Sequence, residues 1–210
     1  MSIIVSENTL RRLPQYLMVL RKFQSEGITF CSASRIAHEL KLTSIQVRKD
    51  LHDVSSQAGI PNQGRDVGKL IDEIQTFLGY KEYSQAVLVG AGRLGSALLS
   101  YKGFKDYNVK IVLAFDERVK SFESFSGVPI YHPSKLKSLV SRLHIHIGII
   151  VVGKESAQAI CDMLVESGVK AIWNFAPVHL VVPKDVFVYH ENMAESLAIL
   201  SQKIKEKGVV

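Results

Sequence analysis

The chain has 210 residues, of which 47% are apolar and 22% are charged, and its formal net charge is +6. This composition excludes an intrinsically disordered chain, and the length allows one large domain or two small ones. Two cysteines, Cys31 and Cys161, are too few for a disulfide framework and lack metal-ligand spacing. The first ten residues lack a signal-peptide pattern and no apolar run approaches the roughly 20 residues of a membrane span, so we expect a cytoplasmic protein outside the membrane.

Residues 10–54 show helical spacing and no clear strand pattern. Apolar residues recur at intervals of four and three positions, as Leu13, Leu17, Leu20 and Phe23, which predicts an amphipathic helix. Residues 10–52 also hold eight lysines and arginines against three acidic residues. Such a segment favours binding to a polyanion, although a basic face that only meets solvent has the same charge.

Residues 33–54 have the pattern of two helices joined by a tight turn. The first helix has an apolar face formed by Ile36, Ala37 and Leu40. Thr43 can cap the second helix by accepting hydrogen bonds from the free N–H groups of its first turn. The inward stripe of that second helix has spacings i, i+4 and i+7, at Val47, Leu51 and Val54. This pattern predicts a helix-turn-helix.

The outward face of the second helix carries side chains that suit the major groove of DNA: Ile45, Gln46, Arg48, Lys49 and His52. Arginine can donate two hydrogen bonds to guanine, glutamine can pair with adenine, and isoleucine can contact a thymine methyl group. The expected DNA-contacting residues of this half are Arg11, Arg12, Thr43, Ser44, Gln46, Arg48 and Lys49. The lysines and the two N-terminal arginines would meet phosphates. The alternative is a small three-helix domain whose basic face is only solvated.

Residues 55–69 are rich in turn formers, namely Gly59, Pro61, Gly64 and Gly68. We interpret this stretch as a β-hairpin wing in which Arg65 touches the adjacent minor groove. A short helix over Leu70–Leu78 follows and ends at Gly79. The first half is therefore predicted to be a winged helix-turn-helix.

From residue 85 onward, short apolar runs alternate with helical ones. The predicted strands are Ala86–Val89, Lys110–Phe115, Val128–Tyr131, Ile145–Val152, Ala171–Phe175 and Val186–Tyr189. The predicted helices between them are Leu94–Tyr101, Ser134–Leu143 and Ser156–Ser167. Continuously apolar strands interleaved with helices indicate an α/β fold, in which a parallel sheet is covered on both faces.

The first of these strands runs into the glycine loop Gly90-Ala91-Gly92-Arg93-Leu94-Gly95, and a helical segment follows. This is the strand, GxGxxG and helix order of a Rossmann dinucleotide site. The first glycine permits the tight turn, the second lets the backbone approach a pyrophosphate, and the third lets the helix pack on the strand. The pyrophosphate would lie at the helix N-terminus.

Asp116 ends the next strand, 21 residues beyond Gly95. A carboxylate at this place can bond both ribose hydroxyls of adenosine, and it repels a 2′-phosphate. The position therefore favours NAD(H) over NADP(H), although Arg118 nearby weakens that preference.

An NAD-dependent oxidoreductase with a fused helical domain is the main alternative. A hydride-transfer enzyme needs a substrate pocket and a positioned acid or base. The Rossmann fold uses nearly all of the residues after the first half, and no Ser-His-Asp or Cys-His order emerges. His144 and His146 alternate at the start of a strand, which is more typical of a solvent-facing edge than of a metal site. We therefore predict no catalytic and no metal-binding residues.

Several separated motifs resemble the Rex family of redox-sensing transcriptional repressors. They lie at residues 12–16 (Arg-Leu-Pro-Gln-Tyr), 46–51 (Gln-Val-Arg-Lys-Asp-Leu), 90–101, 115–116 and 174–178 (Asn-Phe-Ala-Pro-Val). The resemblance extends from about Leu13 to Leu200. It implies that Asn174 belongs to the cofactor site, and that Arg93 and Tyr101 cooperate there with an aspartate from a partner subunit.

The resemblance also implies a homodimer whose C-terminal helix is swapped onto its partner. Such a dimer would bind a palindromic double-stranded DNA operator while NADH is scarce and would release it when NADH binds. The implied domains are a DNA-binding domain at 1–80, a Rossmann NAD(H)-binding domain at 81–190 and a dimerisation helix at 191–210. Independently of the family, this last segment has an apolar stripe at Met193, Leu197, Leu200 and Ile204. The stripe could also dock onto the helix's own sheet.

Three departures from the family pattern bear on the response to the ligand. Asn192 stands where the family has the partner's aspartate. This chain therefore either distinguishes NAD⁺ from NADH less sharply than its relatives or senses another ligand. The alternative is that Asn192 serves only as a helix cap. Gly153-Lys154 replaces a Pro-Ala pair, and Lys154 is either a ligand contact or an exposed loop charge. The wing, Asp53–Val67, is altered and one residue longer, so the preferred half-site could differ. A repressor with a weakened or repurposed nucleotide response is therefore a further alternative.

Overall fold

The computed structural model describes residues 5–56, 59–60, 63–81, 83–121 and 123–207. The chain divides into two compact units, Met1–Glu82 and Tyr83–Val210.

The first unit is helical with a small sheet. Its described helices are α1 (Glu7–Ser25), α2 (Ala33–Leu40), α3 (Ser44–Val54) and α4 (Val67–Phe77). Each begins at a residue whose side chain accepts a hydrogen bond from a first-turn N–H group, and these caps are Ser6, Ser32, Thr43 and Asp66. The predicted helix-turn-helix is confirmed as α2 and α3, and its inward stripe at Val47, Leu51 and Val54 is buried.

The two short strands of this unit are β1 (Phe30–Cys31) and β2 (Arg65–Asp66), which pair antiparallel. Strand β1 lies within residues 10–54, where the sequence shows no clear strand pattern, because a two-residue strand is too short to produce one. Gly64 precedes β2 with a φ of +89°, and a Cβ there would overlap the carbonyl group of Cys31, so this approach requires glycine. Ile60 and Gly64 form an isolated bridge in the predicted wing. The wing residues Gln57, Ala58, Pro61 and Asn62 lie outside the described residues.

The second unit is built on a sheet whose described strands are β3 (Ser84–Val89), β4 (Val109–Phe115), β5 (Glu123–Phe125), β6 (Val128–Tyr131), β7 (Ile147–Ile150), β8 (Ala171–Asn174) and β9 (Phe187–His190). Their spatial order is β5-β6-β4-β3-β7-β8-β9, and all pair parallel except β5 with β6. The six parallel strands thus follow the 3-2-1-4-5-6 order of a doubly wound Rossmann sheet. All six predicted strands are confirmed within a few residues, whereas the edge strand β5 was not predicted.

Helices cover both faces of this sheet. The described α-helices of the unit are α5 (Arg93–Ser100), α6 (Leu136–Arg142), α7 (Lys154–Glu166) and α8 (Met193–Glu206). Apolar residues of α6 and α7 pack on one face, with Phe115 and Val89 of the sheet. Leu99 of α5 packs on the other face, with Leu88 and Ile149. The prediction of a sheet covered on both sides is confirmed.

Both cysteines are buried and unpaired. Burial raises the pKa of each thiol, Cys31 and Cys161, to about 11. They are therefore protonated at neutral pH and contribute to the apolar interior.

Candidate functional site

The exposed face of α3 is the candidate DNA-binding surface. Ile45 is 76% exposed, and Arg48, Lys49 and His52 are exposed beside it, while Ser44 and Gln46 are half-buried. The Thr43 side chain accepts a hydrogen bond from the N–H of Gln46, at 3.2 Å. The rest of the first turn still has N–H groups without intrahelical acceptors, which suits a phosphate. The helix therefore presents Ile45, Arg48, Lys49 and His52 on an exposed face.

Asp50 lies on the opposite, inward side of α3, where the periodicity predicted only apolar residues. The Arg12 guanidinium donates two hydrogen bonds to its carboxylate, from Nε to Oδ2 at 2.7 Å and from Nη2 to Oδ1 at 2.9 Å. The Tyr16 hydroxyl donates to Oδ2 at 2.6 Å, and the Thr9 hydroxyl donates to Oδ1 at 3.2 Å. These four bonds join α1 to α3 inside the core.

The charges in this cluster stabilise one another. Burial alone would raise the pKa of Asp50, but the hydrogen bonds from Arg12 and Tyr16 outweigh it and hold that pKa below its ordinary value. The same carboxylate raises the pKa of Arg12. Burial, together with the bond to Asp50, raises the pKa of Tyr16 far above its ordinary value. The cluster is thus a satisfied ion pair that fixes how α3 lies against α1.

Two of the arginines expected on DNA form hydrogen bonds within the protein. The Arg12 side chain is 17% exposed, and its Nε and Nη2 donate to Asp50. Arg65 is half-buried, and its Nη1 donates to the carbonyl of Leu51 and to the hydroxyl of Ser55 at the end of α3. Burial lowers the pKa of Arg65. Both arginines therefore bond residues of α3 or of its C-terminal end, whereas Arg11 is exposed and paired with Glu7.

In the second unit, the glycine loop connects β3 to α5. Gly90 has a φ of +101°, and a Cβ there would overlap the carbonyl group of Val151. A Cβ at Gly95 would overlap the carbonyl oxygen of Gly90. A Cβ at Gly92 would approach only the Arg118 guanidinium, at 3.8 Å. The first and third glycines are therefore required by the fold itself, while the second leaves open space in front of the loop.

This open space is part of a cavity of about 380 Å³, lined by Gly90, Gly92, Asp116, Arg118, Gly153 and Ser156 among others. It lies where β3 and its neighbours β4 and β7 end, which is the switch point at which open α/β sheets bind ligands. Helix α5 begins after Gly92 and α7 begins after Gly153, and neither start is capped by a described side chain. Two free helix N-termini suit an anionic group such as a pyrophosphate.

Asp116 lines this cavity, as expected, but it is already engaged. The Arg118 guanidinium donates from Nε to Oδ1 and from Nη2 to Oδ2, each at 2.9 Å, and the Arg118 backbone N–H donates to Oδ1 at 3.0 Å. These hydrogen bonds hold the pKa of Asp116 below its ordinary value. The sequence placed both residues near the site, but did not predict the bond between them.

A second cavity, of about 420 Å³, includes Leu94 of the glycine loop in its lining. Its lining includes Leu94, Pro177, His179, His190, Glu191 and Asn192. The rings of His179 and His190 stack with centroids 4.7 Å apart. Burial, and to a smaller extent the nearby His179, lower the pKa of His190. Leu94 is thus the glycine-loop residue that reaches this cavity, while Ala91 is half-buried and accepts a hydrogen bond from the Ser96 hydroxyl.

Asn174 shapes the wall of this second cavity but does not line it. The side chain is fully buried. Its Nδ2 donates to the carbonyls of Ala176 and Val178, at 3.1 and 3.0 Å, and its Oδ1 accepts from the N–H of Ala176 at 2.9 Å. Its role in the structure is therefore to fold the loop that follows β8.

The remaining predicted residues are exposed. Arg93 is the first residue of α5, and Tyr101 packs edge-on against Phe104 with ring centroids 5.0 Å apart. Neither residue belongs to the described lining of the two cavities, and neither does Lys154. Asn192 caps α8, because its Oδ1 accepts a hydrogen bond from the N–H of Glu195 at 3.3 Å.

Within the described ranges, no group of three or more His, Cys, Asp or Glu side chains could hold a metal ion. The helices of those ranges include none with both the length and the apolar character of a membrane span.

Two family models match different parts of the chain. Residues 4–52 match the family described as "Putative DNA-binding protein N-terminus", and residues 81–178 match the family described as "CoA binding domain". The second match covers strands β3 to β8 and the residues that line the first cavity.

Curated relatives match almost the whole chain. Redox-sensing transcriptional repressor Rex of Bacteroides thetaiotaomicron is 36% identical over 95% of this chain and 91% of its own length. The protein of the same name from Clostridium perfringens is 34% identical over 98% of this chain and 97% of its own length. The crystal structure of RSP in complex with β-NAD⁺ and operator DNA is 29% identical, covers 98% of this chain and 95% of its own, and has a TM-score of 0.91. The RSP complex with β-NADH has a TM-score of 0.85. The chain belongs to the Rex family of redox-sensing transcriptional repressors.

Proposed function

We propose that this chain is a transcriptional repressor that senses the NADH/NAD⁺ balance. It binds a palindromic operator as a homodimer and leaves the DNA when NADH binds. One observation carries the proposal: a single Rex-family chain combines an exposed base-reading helix with an open glycine-loop cavity. The Rex relatives are named repressors, and RSP has been crystallised with operator DNA and with both forms of the dinucleotide.

On the nucleotide side, the dinucleotide spans both cavities. The pyrophosphate lies against Gly92 and the free N-terminus of α5, and the adenosine lies near Asp116. The nicotinamide lies toward Leu94 and Asn192 in the second cavity. Asn174 contributes by holding the loop that forms the wall. The residues present fit the ligand, because the open face at Gly92 and two free helix N-termini are features that a pyrophosphate uses.

On the DNA side, α3 enters the major groove. Arg48 and Gln46 read base edges, with Ile45 against a thymine methyl group, and Lys49 meets phosphates. Thr43 and Ser44 lie at the N-terminal end of the helix and Arg11 lies on α1, and these three contact the backbone. Arg12 and Arg65 act indirectly, by holding α3 in place. DNA binding belongs to residues 1–80 and nucleotide binding to residues 81–190.

The homodimer forms through residues 191–210. The apolar stripe of α8 is exposed along its length, at Met193, Leu197, Leu200 and Ile204. An exposed stripe of this size requires a partner surface, and a palindromic operator requires a two-fold dimer. We assign the stripe to a helix that is swapped between the two copies of the dimer. Leu197→Lys should therefore yield monomers, which sedimentation velocity would detect. A repressor must also reach the chromosome, so we assign the protein to the cytoplasm.

The decisive experiment is fluorescence anisotropy of a palindromic duplex, selected from a random pool, titrated with NADH and with NAD⁺ separately. We expect release at lower concentrations of NADH than of NAD⁺. Gly92→Val should retain DNA binding and lose the response, because the added side chain fills the pyrophosphate position and meets little of the protein. No binding of any duplex at moderate salt would contradict the proposal. If the dinucleotide still releases the duplex from Gly92→Val, the effector binds at another site.

The same titration decides the role of Asn192. An amide cannot supply the negative charge with which a carboxylate would distinguish the cationic NAD⁺ ring from NADH. Comparable release by both forms would therefore assign Asn192 a part in a weakened discrimination, whereas release by NADH alone would leave it as the cap of α8. The oxidoreductase alternative is set aside, because the relatives over the whole chain are named repressors.

A further inference from the structure

The adenosine end of the first cavity holds a carboxylate that is largely occupied by one arginine. Asp116 accepts two bonds from the Arg118 guanidinium and one from the Arg118 backbone N–H. A carboxylate offers about four acceptor positions. Arg118 therefore uses three of them.

An unmodified ribose that bonds this carboxylate through both hydroxyls needs two acceptor positions, so one of the three donors must leave. The backbone N–H of Arg118 is fixed by the turn after β4. The Arg118 side chain is different, because it is 74% exposed while the Asp116 side chain is 10% exposed. Arg118 is thus the donor that moves when a ribose binds.

The displaced guanidinium is already at the mouth of the cavity. Its Nη2 lies 3.8 Å from the position that a Cβ on Gly92 would take, directly in front of the glycine loop. Among the described residues that line this cavity, the charged ones are Asp116, Glu117 and Arg118, and Arg118 is the cation of these three. A guanidinium forms bidentate bonds to phosphate as readily as to carboxylate.

We propose that Arg118 is a specificity-determining residue that adapts the adenosine subsite to a ribose carrying a 2′-phosphate. With NAD(H), the ribose hydroxyls must compete with Arg118 for Asp116. With NADP(H), Arg118 transfers its two bonds from the carboxylate to the phosphate and screens that phosphate from Asp116 and Glu117. The subsite therefore binds both dinucleotides, instead of rejecting NADP(H) as a free carboxylate would. This inference rests on the proposed function, because it concerns the same nucleotide site.

The test is the dissociation constants of NADH and NADPH, measured by nicotinamide fluorescence on the full chain. For the wild type we expect dissociation constants within about tenfold of each other. The bonds that Arg118 forms to the 2′-phosphate of NADPH replace the bonds that the two ribose hydroxyls of NADH form to Asp116. Arg118→Ala should tighten NADH several-fold and weaken NADPH at least about tenfold. Arg118→Lys keeps the charge but cannot form bidentate hydrogen bonds. Its ratio of NADPH to NADH dissociation constants should therefore lie between those of the wild type and Arg118→Ala. Arg142→Ala, which removes an exposed arginine at the end of α6, is the matched control and should change neither constant.

Three results would overturn the proposal: weaker NADH binding by Arg118→Ala, an unchanged ratio of the two constants, or a wild type that strongly prefers NADH. A wild type that binds neither dinucleotide would overturn the proposed function as well. A wild type that binds NADH and is released from DNA, with a ratio insensitive to Arg118, would overturn this inference alone.

Discussion

Each of the two units of this chain contains an arginine whose guanidinium donates two hydrogen bonds to an aspartate. The distances are nearly the same, 2.7 and 2.9 Å for Arg12 on Asp50 and 2.9 Å twice for Arg118 on Asp116. The exposed side-chain fractions differ: 17% and 4% in the first pair, 74% and 10% in the second. The first pair also joins two helices, whereas the second spans two residues of one turn. Burial and connectivity, and not bond geometry, separate an ion pair that holds a fold from one that a ligand can open.

The largest expected effect is on the buried pair. Arg12→Ala leaves the Asp50 carboxylate inside the core with only two hydroxyl partners. We expect a loss of about 3 kcal/mol in the free energy of unfolding, at the lower end of the range for broken buried ion pairs because Arg12 is partly exposed. Urea denaturation measures this loss. Arg118→Ala is the matched variant, and an equal loss there would break the comparison.

The next effect separates arginines within the first unit. Arg48→Ala should weaken operator binding by about 10- to 100-fold, as expected when a bidentate base contact of about 1–3 kcal/mol is lost. Its melting temperature should not change, because Arg48 is exposed on α3. Anisotropy at fixed salt and thermal unfolding measure the two quantities. A change in melting temperature as large as that of Arg12→Ala would show that Arg48 is structural as well.

A smaller effect is expected in acid. The pKa of Asp50 is lowered in the folded state, so the unfolded chain takes up the proton first as the pH falls. The contribution of Asp50 is therefore complete above its unfolded pKa of about 3.8 and is lost as the pH falls through the folded value. Asp50→Asn should flatten the loss of stability as the pH falls below about 4 more than Asp116→Asn does. The opposite order would contradict the ranking by burial.

Much of the fold could be predicted because apolar spacing is a local signal. The stripe at Val47, Leu51 and Val54, the six parallel strands and the glycine turn follow from neighbouring residues. The edge strand β5 was missed because its residues are exposed and carry no apolar alternation. The strand β1 was missed because it has two residues.

The site was harder to predict, because it depends on which distant side chains meet. Arg12 and Asp50 lie 38 residues apart, and each belongs to a motif that reads as a DNA contact when taken alone. The sequence does carry one indication of this ion pair. Asp50 lies three residues after Val47 and one before Leu51, which places it on the buried side of α3. Arg118 is two residues from Asp116, but a pairing between neighbours in a turn depends on backbone geometry and not on spacing alone.

The central claim, that nucleotide binding and operator binding are linked in one chain, is tested most directly by their reciprocity. The dissociation constant of NADH should be measured with and without saturating operator duplex, with a scrambled duplex as the control. If NADH releases the operator, the operator must weaken NADH binding by the same factor that NADH weakens operator binding. We predict a weaker NADH affinity in the presence of the operator and no change with the scrambled duplex. An NADH affinity that is the same with and without the operator would contradict the account.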